Sequence, residues 1–231
     1  MMNQIEKIKN IYIVVPAHNE GLVIKSTIQS LEEHFENIVV VNDGSTDNTA
    51  QEISNLNITL INHSINLGVG AAIQTAFKFI LDNCEDATGI ITFDADGQHD
   101  VKDACEISKM LLSGDEDIIF GSRFLGYQDN IPVIKRMVLK TVAKITSLMT
   151  SVNLSDAHNG LKGFKVSAIK KINLEINSYA YESELIMQVQ KNNLLYREIS
   201  TNISYSDYSK KKGQKLSNGL IIIEDLLKLW R

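Results

Sequence analysis

Short runs of β-branched residues alternate with longer helical patterns through the first half of the chain. IYIVVP (11–16) reads as a strand, and EGLVIKSTIQSLEEHF (20–35) as a helix whose apolar residues return at helical spacing. NIVVVN (37–42) is a second strand, closed by the turn-rich DGSTDNT, where Thr46 or Asp47 suits the cap of a helix from Ala50 to Leu56. ITLIN (58–62) predicts a third strand and GVGAAIQTAFKFIL (68–81) a third helix. GIITF (89–93) and DIIFGS (117–122) flank a helix over 101–113. This rhythm implies an α/β fold, Rossmann-like, with a mostly parallel sheet sandwiched by helices. Ligands of such sheets bind beyond the carboxyl ends of the strands. PAHNE, NDGS, DADGQ and GSRF all fall at those ends.

The second half is less regular. Residues 131–151 and 181–192 read as helices and LYREISTNISY (195–205) as a strand, followed by the polar, basic SYSDYSKKKGQK (204–215). LSNGLIIIEDLLKLWR then places Leu216, Leu220, Ile223, Leu227 and Trp230 on one helical face. That face would lie at a membrane interface or pack against the domain or a second subunit of a homodimer. Its charged side is not basic, which favours packing.

A chain of 231 residues with 44% apolar and 22% charged residues suits a single globular domain over 1–231. The net charge of −5 gives no reason to expect a nucleic-acid partner. Cys84 and Cys105 have no metal-type spacing and suit a reducing compartment. The N-terminus lacks the apolar core of a signal peptide, and no run approaches the ~20 apolar residues of a transmembrane segment. The expectation is a cytoplasmic protein, or one touching the membrane peripherally from that side.

The chemistry concentrates in ITFDADGQHD (91–100), where a strand ends in two aspartates one residue apart. Like charges that close must be separated by water, share a proton or hold a cation. Three readings follow. Asp94 and Asp96 hold Mg²⁺ or Mn²⁺ against the diphosphate of a nucleotide sugar, with Gln98 adding a neutral oxygen. Alternatively FDADGQ resembles the FDxDGT of haloacid-dehalogenase phosphatases, although Gln98 replaces the hydroxyl residue and the motif follows the fourth strand, not the first. Third, the carboxylates merely cap the next helix.

Five clusters in order change the weighting: PAHNE (16–20), VVVNDGSTDNT (39–49), NHSINLGVGAA (62–72), DADGQHD (94–100) and FGSRF (120–124). Together they resemble the family-2 glycosyltransferases of the GT-A fold, in the branch of the polyprenyl-phosphate sugar synthases. DAHNGLKGF (156–164) and YSDYSKKKGQKLSNG also look like that branch. The resemblance covers roughly 10–220. It implies a nucleotide-sugar half (about 10–125), an acceptor half (about 126–206), and a basic loop with an amphipathic helix (207–231). It implies a UDP- or GDP-type donor, a divalent cation and a polyprenyl-phosphate acceptor.

Residue roles follow from the same resemblance. Asp43 meets the nucleobase, Pro16, Ala17 and Glu20 pack under the nucleoside, and Gly68 and Gly70 let the backbone approach the donor. Asp94, Ala95 and Asp96 hold the donor diphosphate, and Asp94, Asp96 and Gln98 the cation. Arg123 meets a phosphate with its fork of donors, and Arg136 is a second acceptor-phosphate candidate. His99 could ligate the metal, but is read rather as a neighbour of the metal, an acceptor-side residue or a polar surface residue, and Lys210, Lys211, Lys212 and Lys215 as a solvated run or a cover over bound substrates.

Transfer to a hydroxyl usually needs a general base. In many family-2 enzymes an aspartate follows a glutamate at the place of AYESELIMQ (180–188), where this chain has Ser183 beside Glu182 and Glu184. A phosphate monoester is already nucleophilic near neutral pH, so the missing aspartate favours a phosphate acceptor. Asp156 stands as an alternative base. Transfer to a sugar hydroxyl in surface polysaccharide, or a nucleotide-sugar-binding subunit without catalysis, are the competing functions.

Overall fold

The computed structural model describes residues 6–126 and 133–204. The chain runs β1 (Ile8–Ala17), α1 (Ile24–Glu32), β2 (Phe35–Asp43), α2 (Thr49–Ile53), β3 (Thr59–His63), α3 (Val69–Asn83), β4 (Gly89–Thr92), α4 (Val101–Ser113) and β5 (Ile118–Ser122). It continues with α5 (Val133–Thr150), β6 (Lys162–Lys165), α6 (Val166–Ile169), α7 (Tyr181–Lys191) and β7 (Tyr196–Ser200). Every strand expected from the periodicity is present. The basic run at 210–215 and the amphipathic stretch ending at Trp230 lie outside the described residues.

Seven strands form one sheet in the order β3-β2-β1-β4-β6-β5-β7. All neighbours are parallel except β6, which runs antiparallel to both β4 and β5. The central strands are apolar throughout because both faces are covered. Alternation sends Tyr12, Val14, Val39 and Val41 to a core shared with α3 and α7. Ile11, Ile13, Val15, Ile38 and Val40 go to a second core under α1 and α4. Each such side chain contributes roughly 1.5–3 kcal/mol on burial.

Three departures from the sequence pattern have local causes. Helix α1 begins at Ile24 instead of 20 because residues 19–21 are tied to the β2–α2 loop. There Glu20 N–H donates to Thr49 Oγ1 (2.8 Å) and Gly21 N–H to Asp47 Oδ2 (3.1 Å). At its other end, buried Phe35 already belongs to β2. Strand β7 is shorter than 195–205 because the chain leaves the sheet at Thr201 and turns to the loop after β4. Ser204 N–H donates to Gln98 O (2.8 Å), and Ile203 bridges His99.

The third departure is β6, which the pattern missed. Lys162-Gly163-Phe164-Lys165 carries two lysines and a glycine in four residues, so it reads as polar. Lys162 is nevertheless 1% exposed, its ammonium 2.8 Å from Glu182 Oε1. β6 places the second half of the chain inside the sheet built by the first. Phe164 stacks edge-on against Phe77, ring centroids 5.4 Å apart. Phe164→Ala should therefore cost about 3–5 kcal/mol, lowering Tm by roughly 10 °C at this length, measured by calorimetry.

Candidate active site

The carboxyl ends of β1, β2 and β4 surround a cleft of about 480 Å³. Of the residues singled out from sequence, Pro16, Ala17, Glu20, Asp43, Gly68, Asp94, Ala95, Asp96, Gln98 and Arg123 line it. Gly70 and Arg136 do not. Gly70 is the second residue of α3, where an added Cβ would stand 2.1 Å from Ile176 O, and its N–H donates to Asn177 O (2.8 Å). A Cβ on Gly68 would stand 2.3 Å from Asn177 O. The close approach these glycines allow is to the chain's own 176–177 backbone. Arg136 is half-buried on α5.

At the end of β2, Asp43 is 3% exposed. Oδ1 accepts from His63 Nδ1–H (2.8 Å) and Leu67 N–H (2.9 Å), and Oδ2 from Gly68 N–H (2.8 Å). His63 is held in turn by Thr75 Oγ1 at 2.9 Å. The carboxylate thus fixes the turn into α3 while forming part of the cleft wall.

Asp94 and Asp96 sit in different environments. His99 Nε2 lies 2.9 Å from Asp94 Oδ2, with the imidazole almost wholly buried and edge-on to Phe93. His99 is thus a buried partner of Asp94 at the cleft wall and not an exposed polar residue. Burial would raise the Asp94 carboxyl, but His99, Lys162 and Arg123 outweigh it and hold the group below its ordinary value. Gly160 lies under this carboxylate, where an added Cβ would stand 2.2 Å from both oxygens. Of these three groups only His99 acts appreciably on Asp96, and it does not prevail. Burial and the charge of Asp94 push it up to about 6. Gln98 supports it with its backbone N–H at 3.0 Å and its side-chain NH₂. With the amide NH₂ facing Asp96, Gln98 would offer its oxygen to a cation only after the amide turns over.

Arg123 is 7% exposed and forked onto Asp156, with Nε 2.6 Å from Oδ2 and Nη2 3.2 Å from Oδ1. Nη2 also donates to His158 O. Asp156 is 1% exposed, so the alternative base named from sequence is committed to an arginine. Such a buried pair is costly to break, about 3–5 kcal/mol when one partner is removed. Glu182 lines the cleft but is paired with Lys162, and Glu184 turns away to accept from Glu175 and Ile176 N–H. Ser183 is fully buried, its hydroxyl 3.4 Å from His158 Nε2.

Sequence reasoning passed over His158, Gly160, Tyr179 and Tyr181, all of which line the cleft. Burial lowers the pKa of His158, with Lys162 and Arg123 reinforcing the shift against the carboxylates of Glu182 and Asp156. A signal for part of this set lay in DAHNGLK. Alternate residues 156, 158, 160 and 162 meet Arg123, Ser183, Asp94 and Glu182 in turn. Among the described residues no three His, Cys, Asp or Glu side chains form a metal cluster. Two carboxylates with open coordination instead suit a hard cation completed by phosphate oxygens.

Comparison with known proteins agrees with this geometry. The family model described as glycosyl transferase family 2 matches residues 12–173. An uncharacterised protein of Methanocaldococcus jannaschii is 36% identical, covering 98% of this chain and 94% of that one. The UDP-N-acetylglucosamine–dolichyl-phosphate N-acetylglucosaminyltransferase of Methanococcus voltae is 30% identical over 96% of each. The dolichyl-phosphate β-glucosyltransferase of Dictyostelium discoideum is 25% identical, over 96% of this chain and 75% of its own. Among solved structures, glucosyl-3-phosphoglycerate synthase of Mycobacterium tuberculosis, crystallised with Mn²⁺, UDP and glucosyl-3-phosphoglycerate, superposes with a TM-score of 0.70. It shares 14% identity, over 95% of this chain and 79% of that one, a likeness that concerns the fold alone. With a GT-A-type sheet, a cleft at its carboxyl edge and relatives of this kind, the chain belongs to the family-2 glycosyltransferases.

Proposed function

We propose that this glycosyltransferase moves a sugar from a nucleoside-diphosphate sugar to a polyprenyl phosphate, with inversion and with the help of Mg²⁺ or Mn²⁺. The observation that carries the reading is the pair Asp94 and Asp96 at the floor of the cleft, with Asp94 kept ionised by His99, Lys162 and Arg123. When bound there, the cation would neutralise the departing diphosphate as a Lewis acid. Asp94 and Asp96 would hold it, joined by Gln98 if its amide reverses. The turn fixed by Asp43 shapes the nucleoside side of the cleft, and Ala95 orders the floor through its carbonyl, which accepts from Thr27 Oγ1 (3.2 Å). Arg123, rigidly forked on Asp156, directs positive charge toward a phosphate in the cleft.

The acceptor assignment rests on which bases remain. Asp156 is committed to Arg123, Glu182 to Lys162, and Ser183 stands where an aspartate would serve. A phosphate acceptor needs cations to hold it and no base. Two relatives named for dolichyl-phosphate transfer, at 30% and 25% identity, point the same way. The second reading is a hydroxyl acceptor, and one observation favours it: His158 is a neutral imidazole on the cleft wall.

Three measurements test these readings. A UDP sugar with Mn²⁺, at about 100 times its dissociation constant, should stabilise the protein by roughly 2.7 kcal/mol, raising Tm by roughly 5–10 °C. Asp96→Ala should abolish the metal-dependent part of that shift. A panel of UDP, GDP, CDP and dTDP sugars in which none raises Tm would remove the donor reading.

His158→Gln separates the acceptors. With polyprenyl phosphate, turnover should stay within about tenfold of the parent; loss of a general base would cost about 10²–10⁴-fold. The larger loss would give His158 a role in transfer to the phosphate itself; a parent that uses a sugar hydroxyl and not polyprenyl phosphate would move the acceptor to a hydroxyl.

The charge state of His158 has its own readout. Its folded pKa lies below the ordinary 6.5, so the unfolded chain takes up that proton first as the medium acidifies. The stability it contributes is complete above about pH 6.5 and is lost as pH falls. His158→Asn should therefore lose less Tm than the parent on acidification through that range.

A further inference from the structure

The loop between α6 and α7 reaches the cleft because α3 leaves room for it. An added Cβ at Gly68 or Gly70 would collide with the backbone of residues 176–177, and Gly70 N–H donates to Asn177 O (2.8 Å). From the other side, Glu184 accepts from Glu175 N–H and Ile176 N–H at 2.9 Å each. Ser178 braces the exit into α7. Its carbonyl accepts from Tyr181 N–H (3.1 Å) and its hydroxyl oxygen from Ala180 N–H (3.2 Å).

This braced loop carries Tyr179, which lines the cleft and is nevertheless 48% exposed. Tyr181, by contrast, is buried and belongs to the core. A lone exposed aromatic residue is ordinary on an outer surface. One set into a cleft by a fixed loop is a preformed contact surface for a ligand.

Its neighbours indicate which part of a ligand it meets. Burial first, then the carboxylates of Asp94, Glu20, Glu182 and Asp96, raise the pKa of its phenol. The phenol is therefore neutral, and the ring belongs to the Asp94–Asp96 part of the cleft; Asp43 is not among these charges. Glu182 adds an acceptor there. Its Oε1 takes Lys162 Nζ (2.8 Å) and the Tyr181 hydroxyl (3.4 Å), while among the described residues no donor reaches Oε2. An aromatic face beside carboxylate oxygens matches a sugar ring, whose axial C–H groups lie on the face and whose hydroxyls donate to the oxygens.

We propose that Tyr179 reads the donor's sugar by stacking its ring on the pyranose that is transferred. The inference rests on the nucleotide-sugar reading and adds to it the side chain that distinguishes a sugar nucleotide from the bare nucleotide. A contact to the base or the diphosphate would be shared by UDP, and a contact to the acceptor would leave donor binding untouched.

The test is isothermal titration of the full chain with UDP, UDP-glucose and UDP-N-acetylglucosamine, each with Mn²⁺ and without acceptor. Tyr179→Ala should weaken the UDP sugar that the parent binds by about tenfold, and UDP by less than about twofold. Tyr179→Phe keeps the ring face and should stay within about threefold of the parent for both. Both variants should keep the parent's Tm, because the ring is half in solvent and packs in no core. In turnover, Tyr179→Ala should raise the donor KM and spare kcat, as a contact made equally in ground and transition states does. Equal weakening of UDP and UDP sugar overturns the inference, because the ring would then meet the nucleotide. No weakening of either overturns it as well, and so does a Phe variant as weak as the Ala variant. If the parent binds none of the three, GDP and GDP-mannose take their place in the same comparison. A parent that binds none of the five defeats the donor reading and this inference with it, whereas the overturning outcomes in a parent that binds donor defeat this inference alone.

Discussion

Two carboxylates one residue apart at a strand end repel, and the site is arranged around that repulsion. The protein treats the two unequally. Asp94 receives the cations, with His99 in contact and Lys162 and Arg123 acting through the field. Asp96 receives the donors of Gln98 and a weaker pull from His99, and burial and its neighbour push it up to about 6. A site built this way is poised to take up positive charge. Without such a partner the second carboxylate would be a liability, because nothing about helix capping requires it: Asp100 already caps α4, accepting from Lys102 N–H.

The cations that stabilise Asp94 are themselves buried, and that dictates much of the second half of the chain. Lys162 can enter the sheet on β6 only because Glu182 meets it from α7. Arg123 can end β5 under the cleft because Asp156 meets it fork to fork. Asp156 is positioned in turn by Glu198 of β7, which accepts its backbone N–H at 3.2 Å. Removing one partner from such a pair leaves a buried charge unpaired. The floor and the far wall of the cleft are therefore one electrostatic unit, although their residues lie far apart in the sequence.

The same logic bears on α5. Its inward face is apolar and joins the core, as any sheet-covering helix must. Its outward face combines lysines with long apolar side chains and no acids, unlike the rest of an acidic protein. Packing explains the first face; among the described residues nothing covers the second.

The sequence by itself determined the parallel half of the sheet, because strands covered on both faces must be apolar throughout, and five such runs between helical patterns admit few arrangements. It also determined which edge carries the chemistry: the polar clusters at the strand ends are contiguous in sequence, so PAHNE, NDGS, DADGQ and GSRF could be read as they stand. Tertiary structure alone decided what completes them. β6 looks polar until Glu182, twenty residues on, neutralises its lysine. Asp156 looks like a base until Arg123, thirty-three residues earlier, takes it. Gly160 looks like a turn residue until the carboxylate of Asp94 is found lying over it. Charge pairing and close approach join residues distant along the chain, so no local period records them, whereas burial of a whole strand leaves its mark on every residue of it.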